Sequence, residues 1–120
     1  MNEKENPLKD KSFLFALRIV RLYKLLIEVK KEYVLSKQLL RSGTSIGANI
    51  REAQNAQSKA DFIHKLSISQ KECDETLYWL ELLYQSEYLT EIEFNSIYPE
   101  ANELLKMLRS AIITSKNKIS

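Results

Sequence analysis

The stretch RSGTSIGANIREAQ, residues 41–54, decides how the chain is read. Two readings compete for it. A phosphate-binding loop needs the spacing GxxxxGK[ST] behind a strand, and here neither the spacing nor a strand pattern is present. A helix interior fits better, because Leu35, Leu39, Ile46, Ile50 and Ala53 keep helical spacing from one side of the stretch to the other. Gly43 and Gly47 inside that helix cost about 1 kcal/mol each relative to alanine. Close approach of another backbone offsets the cost. Ser42, Gly43, Ser45 and Gly47 are therefore candidate helix-packing residues, within the subunit or between subunits.

Three further patterns flank this one. From about Lys9 to Tyr33, Phe15, Ile19, Leu22, Leu26, Val29 and Tyr33 form one stripe, widened by Ala16, Val20, Tyr23 and Ile27. Leu14, Leu17 and Leu25 fall on the opposite, charged side, more apolar surface than one bundle covers, and are candidate subunit contacts. From Lys59, Phe62, Leu66, Ser69, Cys73, Leu77, Leu80 and Tyr84 form a third stripe, with Ser58 and Asp61 resembling a capping box. From Thr90, with Glu93 completing a second capping box, Phe94, Ile97, Ala101, Leu105, Leu108 and Ile112 form a fourth. Pro99 is expected to kink this last helix or delay its start to about Tyr98. The spacing predicts helices near 9–33, 34–56, 59–86 and 91–115, in an all-α, antiparallel up-down four-helix bundle.

Composition agrees. The 120 residues make one domain, 1–120, with residues 1–8 and 116–120 expected to fray. Two glycines and two prolines are too few for an all-β chain. The longest apolar run, Phe13 to Leu17, is far short of a membrane span of about 20 residues. No apolar segment follows the charged N-terminus, so a cytoplasmic location is expected. The net charge of +2 conceals segregation: residues 1–71 carry +7, residues 72–105 carry −9, and residues 106–120 carry +4. Packed antiparallel, these charges mix; kept apart in space, they suit a polyanion or head-to-tail self-association.

The chemistry-bearing residues point away from catalysis. A di-iron bundle needs Glu-x-x-His on two helices, and His64 is the one histidine of the chain. Cys73 lies on an apolar stripe as a small hydrophobe. Glu52, Glu72 and Glu75 could meet inside the bundle, but surface positions or N–H partners explain them as well. No enzyme activity, metal or cofactor is expected. A sequence-tolerant nucleic-acid face is the stronger reading, with candidates Arg18, Arg21, Lys24, Lys31, Lys37, Arg41 and Arg51, and with Lys11 and Lys30 beside them. The alternative is a scaffold whose charged faces serve self-assembly or an acidic protein partner.

The stretch at 41–54, followed by SKADFIHKLSISQKECDETLYWLELL at 58–83, resembles the four-helix-bundle protein family also called the 23S ribosomal RNA intervening-sequence proteins. Ser45-Ile46, Asn49-Ile50 and Glu52, the Asp61-Phe62 pair, and Glu75 to Leu80 carry the resemblance. It adds Asn49 to the packing candidates. Gly47 departs from the many members that have proline there. The resemblance implies a homopentamer without catalytic activity, similar to retroelement accessory proteins that bind nucleic acid and a reverse transcriptase.

Overall fold

The computed structural model describes residues 6–118. Four helices follow one another: α1 (Pro7–Glu28), α2 (Leu35–Gln54), α3 (Lys59–Gln85) and α4 (Glu91–Asn117). They form a rod of 51 × 23 × 22 Å. α2 packs on α1 and α3, α3 packs on α4, and α4 closes the bundle on α1 along its sparsest seam.

The helix starts are built from side chains. Asn6 Oδ1 accepts from the Lys9 N–H at 3.1 Å, and Pro7, which has no N–H to satisfy, opens α1. α1 thus includes Pro7 and Leu8, and α4 includes Lys116 and Asn117, all expected to fray; residues 1–5 and 119–120 lie outside the described residues. Ser58 Oγ caps α3 through the Asp61 N–H at 3.0 Å. Thr90 and Glu93 form the reciprocal box expected for α4, with bonds of 3.1 and 2.9 Å. Regular helix therefore begins at Glu91, and Pro99 does not delay it. Pro99 lies on the exposed side, where water can take the carbonyl its missing N–H leaves free.

The first helix ends five residues before the expected Tyr33. Lys31 adopts the left-handed region with φ 57°, and the Glu32 N–H turns back to the Leu26 carbonyl at 2.9 Å. Val29 and Tyr33, expected on the buried stripe, are consequently exposed. Glu32 is buried instead. Its carboxylate accepts from the Val34, Leu35 and Ser36 N–H groups at 3.1, 2.9 and 2.6 Å, capping α2 from outside the helix. Burial alone would raise its pKa; the three N–H donors outweigh burial and hold it below the usual carboxylate value.

The small-residue run works inside the subunit on two sides of α2. Toward α1, a Cβ added at Gly43 would stand 2.8 Å from the Ile19 side chain, and one at Gly47 would stand 3.3 Å from the Ser12 carbonyl oxygen. Toward α3, the Thr76 hydroxyl donates to Ser42 Oγ at 3.0 Å, and Ser69 donates to the Ile46 carbonyl at 2.8 Å. Ser45 and Asn49 serve α2 itself: Ser45 Oγ donates to the Arg41 carbonyl, and Asn49 donates to the Ser45 carbonyl. The remaining core is apolar, with Phe15, Ile19, Leu26, Leu39, Ile46, Ile50, Leu66, Leu80 and Leu108 almost wholly buried.

Two outcomes are expected. Gly43→Leu overpacks against Ile19 and lowers stability by about 1–3 kcal/mol, read as a lower thermal midpoint. Glu32→Ala costs about 0.5–2 kcal/mol at neutral pH, the range for loss of a cap. Because the folded pKa of Glu32 lies below the unfolded 4.5, its contribution is complete above 4.5 and is lost as pH falls through the folded value. Urea unfolding of both proteins at neutral pH and near pH 3 checks that the gap narrows in acid.

Candidate functional site

The α1–α4 seam concentrates the unusual surface features. Three side-chain clasps cross it. Arg18 Nη1 donates to Glu100 Oε2 at 2.6 Å and to the Ser96 carbonyl at 3.0 Å, while Nη2 donates to Ser96 Oγ at 2.8 Å. Lys11 donates to Glu103 at 2.7 Å. Lys30 Nζ donates to Glu93 at 2.6 Å and to the Tyr88 carbonyl at 2.7 Å, tying the α1–α2 loop to the start of α4. Burial would raise the Glu93 pKa, but Lys30 and the Thr90 N–H together lower it.

Between the clasps the seam is open and apolar. A groove of about 360 Å³ is lined by Leu22, Leu25, Ile92 and Ile97, with Arg18 and Arg21 at its edge. A second, of about 460 Å³, is lined by Leu14, Leu17 and Leu104, shares both arginines, and is bordered by Lys11, Glu100 and Glu103. Leu14 is 61% exposed, Leu17 37% and Ile92 83%. Leu25 is half-buried. Leu14, Leu17 and Leu25 thus lie along one seam, divided between its two grooves, on the one side of α1 expected from the sequence. Ile92 is off the period of its own helix and sits between two glutamates, so no pattern singled it out.

The basic candidates do not form one surface. Arg18 is held by Glu100 and Ser96. Arg41 is held between Glu72 at 3.2 Å and Glu75 at 2.6 Å, and Lys65 meets Glu52 at 2.9 Å. The guanidinium of Arg51 lies 5.5 Å over the Phe13 ring, at the opposite end of the rod from Lys31 and Lys37. Among the described residues, Arg21, Lys24, Lys31 and Lys37 are exposed and have no carboxylate within ion-pair distance. Much of the segregated charge is therefore spent inside the subunit: α1 cations pair with α4 acids, and an α2 arginine with α3 acids.

Cys73 is turned into the core. Burial, helped by Asp74, pushes the Cys73 thiol up to about 12 against a lowering effect from Arg109. Its S–H donates to the Ala101 carbonyl at 3.2 Å. His64 is exposed on α3. Among the described residues, no three His, Cys, Asp or Glu side chains gather to hold a metal, and no helix is long and apolar enough to cross a membrane.

Fold and surface together define a four-helix-bundle protein whose distinctive feature is an open helix–helix seam. The sequence profile of the 23S rRNA-intervening sequence proteins matches residues 4–110, and the chain belongs to that family. A crystal structure of a protein with unknown function from the S23 ribosomal protein family of Bacteroides thetaiotaomicron is 60% identical. It matches over 88% of this chain and 97% of its own, with a TM-score of 0.86. Among curated proteins, none matches the chain.

The Arg18–Glu100 pair is half-exposed, so a double-mutant cycle with Arg18→Ala and Glu100→Ala is expected to give a coupling of about 0.2–1 kcal/mol in thermal unfolding, smaller at high salt.

Proposed function

We propose that the protein is a non-enzymatic helical module that assembles with copies of itself through the α1–α4 seam. The observation that carries this is the line of apolar side chains, Leu14, Leu17, Leu25 and Ile92, left open along the one seam that the bundle closes poorly. An exposed apolar strip of that kind favours burial against a partner. The commitment of Cys73 and of most buried or paired carboxylates to structural bonds supports a role without catalysis. A closed ring is built from one heterologous contact repeated by rotation, and the family resemblance makes five copies the expected number.

Sequence-tolerant binding of nucleic acid is the second reading. Arg21, Lys24, Lys31 and Lys37 favour it, as exposed cations with no carboxylate within ion-pair distance among the described residues. A protein surface that meets phosphates alone binds without reading bases and weakens steeply with salt.

Light scattering at micromolar concentration tests the assembly. The expected mass is a multiple of 14.0 kDa, about 70 kDa for five copies. Leu14→Glu with Ile92→Glu is expected to leave helicity intact and shift the mass to the single chain. A wild-type mass of 14.0 kDa overturns the proposal, and a dimer overturns the ring.

A further inference from the structure

The loop from Val29 to Val34 is fastened at three points yet turns its apolar side chains outward. Glu32 holds it from within through three N–H groups, Lys30 clasps Glu93 and Tyr88, and Lys31 takes the left-handed turn. Val29 is 67% exposed, Tyr33 53% and Val34 71%. Cations flank the ring on both sides in sequence: Lys24 one turn before the end of α1, Lys31 in the loop, and Lys37 in the first turn of α2. Of the two carboxylates between Lys24 and Lys37, Glu32 is turned inward onto α2 and Glu28 is exposed; the turn joining α3 to α4, tied to this loop through Lys30, adds the exposed Glu87 and Glu91 on its own side.

We propose that Tyr33 is a stacking platform for an unpaired base of a single-stranded nucleic acid whose phosphates are met by Lys24, Lys31 and Lys37. This rests on the nucleic-acid reading and goes beyond it in naming the strand type and the contact. The ring is presented on a fastened loop, so little freedom is lost when a base settles on it. A base in a duplex has both faces covered by its neighbours, so a lone exposed ring selects unpaired nucleotides. Every base has such a face, which makes the contact tolerant of sequence. Clustered lysines argue against a protein partner at this place, since lysine is depleted from the centres of protein interfaces.

The test is fluorescence anisotropy with a labelled single-stranded RNA of mixed sequence, and with its duplex, at low and physiological salt. The wild type is expected to hold the single strand more tightly than the duplex. Tyr33→Ala is expected to weaken single-strand binding about 5- to 100-fold, with Tyr33→Trp restoring it. The thermal midpoint stays unchanged in both, because the ring is outside the core. Lys31→Glu with Lys37→Glu is expected to weaken binding and flatten the salt dependence by roughly two phosphate contacts. If the wild type binds neither RNA even at low salt, the nucleic-acid reading falls and this inference with it. If the wild type binds but Tyr33→Ala binds equally well, or the duplex is preferred, this inference alone falls.

Discussion

A Cβ at Gly43 would stand 2.8 Å from Ile19, and the placement of α1 depends on that missing atom. α1 has two neighbours. Its seam with α4 is sparse and is crossed by three polar clasps. Its seam with α2 is close-packed, because Gly43 receives Ile19 and Gly47 receives Ser12. The tight seam therefore fixes the distance and rotation of α1, and the loose seam follows. The same rotation that sends Phe15 and Ile19 into the core leaves Leu14, Leu17 and Arg21 outside. Two glycines on α2 thus determine which face of a different helix is left exposed.

On the other side of α2 the solution is polar. Ser42, Thr76 and Ser69 are buried at the α2–α3 contact, and each hydroxyl has a hydrogen-bond partner there. Short side chains let the backbones approach, and a satisfied hydroxyl avoids the cost of a buried orphan. Trp79 differs: its Nε1 is buried and has no partner among the described residues.

The fold was legible because periodicity is repeated over many turns, and an error at one position does not erase it. Helix ends rest on one or two residues. Chains usually enter the left-handed region through glycine, but here Lys31 and Glu87 do so, with φ of 57° and 71°. After α3, the Tyr88 N–H reaches the Leu83 carbonyl and the Glu87 N–H reaches the Tyr84 carbonyl, a Schellman closure without its glycine. At the end of α1 the signal misled, since Val29 and Tyr33 continue the apolar period beyond Glu28. Glu32 was equally hidden: a carboxylate three residues before a helix looks like any surface acid until the loop brings it back. The charged candidates were legible as a group but not one by one. Arg18 and Arg21 look alike in sequence, yet the register of α4 gives Arg18 three bonds and, among the described residues, leaves Arg21 without a carboxylate.

The placement of cations and apolar groups along α1 constrains how assembly and polyanion binding can coexist. Leu14 and Leu17 lie in the first half of the helix, and Lys24 lies about 15 Å from Leu14 at 1.5 Å per residue. A partner helix that covers Leu14 and Leu17 also reaches Arg21, which borders both grooves. Burying that guanidinium without a counter-charge costs several kcal/mol, so a stable contact over the seam must bring a carboxylate to it or keep it at the wet rim. Lys31, in the loop after α1, and Lys37, on α2, line neither groove and escape this constraint. Arg21 therefore lies within the seam proposed for assembly, whereas the two lysines lie outside its grooves.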